Sequence, residues 1–252
     1  MLKQILLGLV FFSSALAGYA AADVDVLVRQ GLDAEAKLDP KTALGFFRRA
    51  DTAKPDDPFI LQKIAQQLSD STALAATKED RQQLATDALA YAQRAMALAP
   101  KNAVNVLSVA ICYGKIALNA GTRVKIEDSR LVKQYAEQAL ALDPNYDWAH
   151  HVLACWHEEV AALRLADRLA LRLVYGGLPP ASLDEAIAQF RRAAELAPKQ
   201  PAHHLELGFA LISAGRRDEA RREFQLGLDL PPLEVSDAGD KERARAALAK
   251  LK

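Results

Sequence analysis

Within one ten-residue stretch the chain places His150, His151 and His157 beside Glu158 and Glu159. Imidazole and carboxylate are the side chains that most often hold zinc or move protons. His157-Glu158 opens like the zinc motif H-E-x-x-H, but the fifth residue is Ala161, so the second ligand is missing. His150 and His157 lie two helical turns apart, on one face, and could share a metal only with a third ligand from elsewhere. Such residues are more often ordinary groove or surface histidines. The sequence has no Gly-rich phosphate loop, no G-x-S-x-G and no Cys-x-x-Cys. No enzyme, catalytic residue, metal or cofactor is therefore expected, with a metal-dependent hydrolase on the His150/His157 cluster as the weaker alternative.

The elements that would position these groups are helices in a repeat. The clearest copy runs from Pro201 to Pro232 and fits the 34-residue tetratricopeptide pattern slot by slot. Leu207-Gly208 takes the Leu-Gly pair, Leu211 the aromatic slot and Gly215 the turn. Ala220, Phe224 and Gly227 follow on the second helix, and Pro232 ends it. Gly208, Ala220 and Gly227 belong where two helices cross closely, and Phe224 fills the space between them. His204 stands in the usual Trp slot.

Closing prolines reveal the other copies: Pro55, Pro100, Pro144 and Pro198. Ala50, Ala95, Ala139 and Ala193 stand five residues before them, and Phe47 and Phe190 eight before the first and last. The spacings 45, 44, 54 and 34 imply insertions of roughly 11, 10 and 20 residues into a 34-residue unit. The first is expected to lengthen the turn at Ser69 to Asp80, and the second falls near Asn119 to Asp128. The third ends at Gly176-Gly177-Leu178-Pro179-Pro180 and contains a Leu-rich helix with Arg164, Arg168 and Arg172 four apart. That helix is expected to pack against its neighbours. Asp39-Pro40, Asp57-Pro58 and Ser182-Leu183-Asp184-Glu185 mark helix starts. The fold class is thus all-α: a tetratricopeptide-repeat superhelix of about five helix pairs over 23–252, closed by a capping helix at 237–252.

Composition agrees with this and narrows the partners. The 252 residues are rich in Ala and Leu, and 32 basic residues balance 32 acidic ones. No global basicity points to nucleic acid. At the N-terminus, Lys3 precedes an apolar run from Ile5 to Leu16 and then small residues up to Ala22. This predicts a signal peptide over 1–22, cleaved between Ala17 and Asp23, and an exported, periplasmic protein; an uncleaved membrane anchor is the alternative. No later segment is apolar enough to span a bilayer. Cys112 and Cys155 are expected to be free thiols, since neighbouring helices would point them in different directions.

From Cys112 onward the residues resemble one family. Tyr113-Gly114-Lys115, Ala136 to Pro144 and Ala154-Cys155-Trp156-His157-Glu158-Glu159-Val160-Ala161 are similar to the regulator of microtubule dynamics protein family. The likeness continues through Arg168, Pro179-Pro180, Phe190, Ala193-Ala194-Glu195-Leu196 and Pro198, about half the chain. It implies a helical repeat adaptor without catalytic residues, in animals associated with microtubules or organelle contacts. The bacterial-style export signal separates this chain from microtubules, so fold and adaptor role are what carry over.

In such superhelices a few positions of each first helix line a concave groove. They fall on Leu205, Phe209 and Ile212 in the last repeat, on Tyr146, Leu153, Trp156 and His157 in the one before, and on Tyr113 further upstream. The expected partner is an apolar segment of another protein or peptide, anchored on Tyr146, Trp156, Phe209 and Ile212. A self-assembling array, giving a homo-oligomer, is the alternative.

Overall fold

The structure, a computed structural model, describes residues 23–251, and the expected signal segment lies outside them. Twelve helices and no strands make up the described residues. In order they are α1 (23–35), α2 (Pro40–Ala53), α3 (Pro58–Ser71), α4 (Lys78–Leu98), α5 (Ala103–Asn119) and α6 (Thr122–Leu142). Then come α7 (Asp147–Ala161), α8 (Leu165–Tyr175), α9 (Leu183–Leu196), α10 (Pro201–Ser213), α11 (Arg217–Asp229) and α12 (Asp237–Lys250). The pairs are α1–α2, α3–α4, α5–α6, α7–α9 and α10–α11; α8 is inserted into the fourth, and α12 caps the fifth.

Local chemistry starts the helices where expected. Asp39 accepts from the Thr42 amide at 3.0 Å, and Asp57 from the amides of Phe59 and Ile60, each carboxylate standing before a first-turn proline. Ser182 accepts from the Glu185 amide at 3.1 Å. Within each pair one contact recurs. The residue ten after a closing proline meets the residue eight before the next: Ala65 with Ala92, Ala110 with Ala136, Ala154 with Phe190, and Gly208 with Phe224. Gly31 and Phe47 make the same contact in the first pair. A methyl on Gly31 would lie 2.7 Å from the Phe47 ring, and one on Gly208 2.6 Å from Phe224. A phenylalanine ring on glycine, a ring on alanine and a pair of alanines are thus three packing solutions for the same site.

The second insertion sits where the sequence suggested, at the break before α6, whereas the first lengthens a helix more than the expected turn. α4 and α6 are 21 residues each, against 14 and 13 for α9 and α11. The first two insertions therefore lengthen the second helices more than their loops. The added seven or eight residues are about two helical turns, and Lys78-Glu79-Asp80 starts α4 under a Thr77 cap. The helix expected to pack against its neighbours, α8, buries no residue at all. Leu165, Leu169 and Leu173 fall on an exposed face of it. The cap, in contrast, is well tied. Asp237 accepts from the amides of Leu233 and Glu234 at 2.7 and 2.9 Å, the buried Lys241 donates to the carbonyls of Leu228 and Leu230, and Ala244 packs into the core of the last repeat.

Candidate interaction groove

The first helices α3, α5, α7 and α10 lie side by side and form the concave face. With α8 at one rim and the 234–236 link and α12 at the other, they enclose a groove of about 1590 Å³. Its lining is mainly apolar: Phe59 from α3, Val104, Ile111 and Leu118 from α5, Trp148, Val152 and Cys155 from α7, Ala202 from α10, and Leu171 and Val174 from α8. Polar groups interrupt it sparsely. Gln62 donates to Ser108 at 3.3 Å across the α3–α5 seam.

Carboxyl groups mark its edges. Burial pushes Asp70 up to about 6 and Glu206 up to about 7. Burial does the same for Glu234, to about 7, and the nearby charge of Asp70 adds to it, so the link after α11 comes close to α3. Burial also raises Glu159. Arg243 of α12 answers Glu206 at 3.4 Å.

Between α7 and α10 lies a chain of buried groups that borders the groove at His151. His203 Nε2 is 2.9 Å from Asp147 Oδ2, and His203 Nδ1 is 3.0 Å from His151 Nδ1. With both rings neutral, His203 donates to the carboxylate, and His151 must then donate to His203. Burial holds His151 well below the usual histidine range, which keeps it in that neutral role. Burial opposes the charge of Asp147, yet the hydrogen bond from His203 holds its carboxyl below the ordinary value. Trp148 stands edge-on to both rings, at 4.9 and 5.0 Å. The group reads as a polar pin joining two repeats.

His150, His151 and His157 are thus separated. His150 uses Nε2 on the Pro144 carbonyl at 3.0 Å and Nδ1 on Gln189 at 2.6 Å. His204 repeats this one unit later, on the Pro198 carbonyl and on Glu223. Each ties a first helix to the preceding closing turn and to its own second helix. His157 stacks edge-on against Trp156 at 5.1 Å. Among the described residues, no three His, Cys, Asp or Glu side chains are grouped to hold a metal ion.

The expected groove residues also divide. Tyr146 and Trp156 reach the groove, although Trp156 is only 4% exposed and its indole donates to Ser129 at 3.0 Å. Leu205 is 0% exposed, and Leu153 and His157 are buried. Phe209 packs edge-on against Phe224 at 4.9 Å with the Arg243 guanidinium 4.5 Å above it, and Ile212 joins the same last-repeat core. Tyr113 stacks on Tyr135 at 6.1 Å and accepts from Gln93 at 3.2 Å. These residues hold helices together. The cause in α7 is the register: that helix begins at Asp147, three residues after Pro144, as α10 begins at Pro201, three after Pro198. Counting from 145 shifts the frame by two residues, about 200° around a helix, onto the opposite face. Carrying the Pro198–Pro201 spacing upstream brings Trp148, His151 and Cys155 to the groove side. In α10 the position expected to open to the groove is filled from within, because Leu205 lies against Gly227, where a methyl would meet it at 2.6 Å. Cys112 and Cys155 are both free; burial pushes the Cys112 thiol up to about 12, and that of Cys155 well above its usual value.

A family model described as regulator of microtubule dynamics protein 1-3 matches residues 21–252. The chain is 26% identical over 144 residues to regulator of microtubule dynamics protein 1 of Bos taurus, covering 57% of this chain and 45% of that one. It is 25% identical over 183 residues to protein 3 of Xenopus laevis, covering 72% and 40%. The chain spans less than half the length of these relatives. Among solved structures it is similar to a thermophilic tetratricopeptide-repeat protein of Thermus thermophilus, with a TM-score of 0.67, 20% identity, and 90% and 99% of the two chains covered. It is also similar to pilF of Pseudomonas aeruginosa, with a TM-score of 0.54, 13% identity, and 92% and 90% covered. Both likenesses concern the fold.

Proposed function

The chain belongs to the regulator of microtubule dynamics protein 1-3 family, and from that premise we propose that it is a non-enzymatic scaffold that holds an apolar segment of a partner protein in its concave groove. The observation that carries this reading is the groove itself: about 1590 Å³ of mainly apolar wall, built on four parallel first helices and open to a ligand. Phe59, Ile111 and Trp148 are the anchors, because they combine large apolar area with partial exposure at the wall. The microtubule part of the relatives' name stays with the relatives. The apolar run from Ile5 to Leu16 and the small residues after it support export of this chain and removal of 1–22. Intact-mass measurement of the native protein tests that point: a mass still including Met1 and Leu2 would favour an anchor.

The test of the scaffold reading is site-specific crosslinking. A photoreactive side chain at position 111, in the groove, should capture a discrete partner from native extract, and the same group at Arg48, on exposed α2, should not. Ile111→Glu should abolish capture with helix content kept. Equal capture at both positions would reject the groove as the binding site.

A further inference from the structure

Leu165, Leu169 and Leu173 recur every four residues and form one stripe of α8; Arg164, Arg168 and Arg172 each precede one of them and form the adjacent stripe. Leu165 is 74% and Leu173 87% exposed, and Leu169 and Val174 are exposed beside them. No residue of the helix is buried, and Asp167, Ala170, Leu171, Val174 and Tyr175 are the ones that line the groove. The placement is nonetheless built. Arg130 of α6 donates to the carbonyls of Tyr175 and Gly177, and Arg168 donates to those of Leu163 and Ala161. Gly176 and Gly177, with φ of 76° and 79°, end the helix in a left-handed turn suited to glycine. A surface that holds three large apolar side chains outward in a fixed array marks a contact site.

What covers it can be decided from area and charge. A stable dimer needs about 800 Å² from each copy, far more than three leucines on an 11-residue helix offer. Two-fold pairing of α8 would also set one arginine stripe against another. A lipid surface has neither difficulty. Leucines can enter the acyl boundary while Arg172 beside them reaches the headgroup phosphates; Arg164 is paired with Asp167 at 2.7 Å, and Arg168 is held by the Leu163 and Ala161 carbonyls. The arginines outnumber the one acid of the helix, Asp167, in a chain with no net charge, so the basic character is local to this face. We propose that α8 is an interfacial helix that docks the protein on an anionic membrane surface, leaving the apolar groove to its own ligand. This inference does not depend on the groove's occupant.

The experiment is co-sedimentation of the full chain with vesicles of phosphatidylcholine alone or mixed with phosphatidylglycerol. Binding should favour the anionic vesicles and weaken with salt, and Leu169→Glu with Leu173→Glu should weaken it about ten-fold or more. Arg172→Glu should weaken it less, and Ile111→Glu in the groove should leave it unchanged. A Leu173→Trp variant reports on the helix itself, whatever residues outside 23–251 contribute. Its added fluorescence should be quenched by brominated anionic lipid. Absence of that quenching overturns the proposal, as does a double Glu variant that binds as tightly as the wild type. A double Glu variant that only dissolves a dimer seen by sizing would assign the stripe to a second copy instead.

Discussion

Single side chains decide how closely the helices approach. Gly208 faces the Phe224 ring, and Gly227 faces Leu205, each with a would-be methyl 2.6 Å from its neighbour. Gly208→Ala should therefore cost about 1–3 kcal/mol by overpacking, measured by chemical denaturation. Trp156→Ala should cost about 3–5 kcal/mol as a core truncation, because Trp156 is buried against Val132 and Val160. Partner capture that fails in Trp156→Ala while its stability is unchanged would contradict this placement. The groove carboxyls set a pH dependence. Glu206 is pushed up to about 7 by burial, so the folded chain holds its proton more tightly than the unfolded chain does. Its contribution is full below the unfolded value of 4.5 and is lost as pH rises through about 7. Glu206→Gln should accordingly raise the melting temperature at pH 8 and change it little at pH 5. The difference between variant and wild type isolates this residue from His151, whose neutral ring contributes in full above 6.5 and progressively less as pH falls below it. An equal effect at both pH values would show that Glu206 does not titrate as described.

At the scale of elements, the helices differ in what secures them. α3 has its Asp57 cap and eight buried residues, including Ile60, Leu61 and Ile64. Asp57→Ala should cost about 1 kcal/mol through the lost cap. α8 has no side-chain cap bond and no buried residue. Its amides should exchange with solvent faster than those of any other described helix, since local opening there exposes almost no new apolar surface. Protection in α8 equal to that in α10 would mean that something covers it. The histidine ties are also an element-scale device. His150 and His204 each join a closing carbonyl, a first helix and a second helix, a task for which two ring nitrogens on one short side chain suffice.

For the whole molecule, the two ends of the array matter most. Repeats stack on their neighbours, and the last one presents an apolar side unless a cap covers it. Here α12 covers α10 and α11, with Ala244, Ala247, Leu248 and Leu251 packed on the core around Leu207, Leu211 and Phe224. Truncation before Asp237 should lower the melting temperature and promote aggregation, as read by thermal unfolding with light scattering. The same cap supplies Arg243 to Glu206 and, through Asp237, fixes the link that carries Glu234 to the groove rim near α3. Loss of the cap should therefore also weaken capture at position 111.

The sequence by itself determined the repeat, its five closing prolines, the caps and the final helix, because each rests on local chemistry. Proline ends a helix, a carboxylate starts one, and a small residue every few positions lets two helices touch. It did not determine which residues face the groove. A shift of two residues in counting turns a helix to its other side, and only the packed structure shows that α7 starts at Asp147 and turns Trp148 and Cys155 to the cavity. Nor could it tell an inserted helix that packs from one that stands clear. The leucines of α8 read as core by composition, and Leu165, Leu169 and Leu173 are exposed because Arg130 of α6 holds the end of the helix by its carbonyls and Arg168 ties its start to the carbonyls of Ala161 and Leu163, with the leucine stripe outward. Helix formation is decided within a few residues of sequence, whereas the facing of a helix depends on neighbours far along the chain, and that is where tertiary structure had the decision.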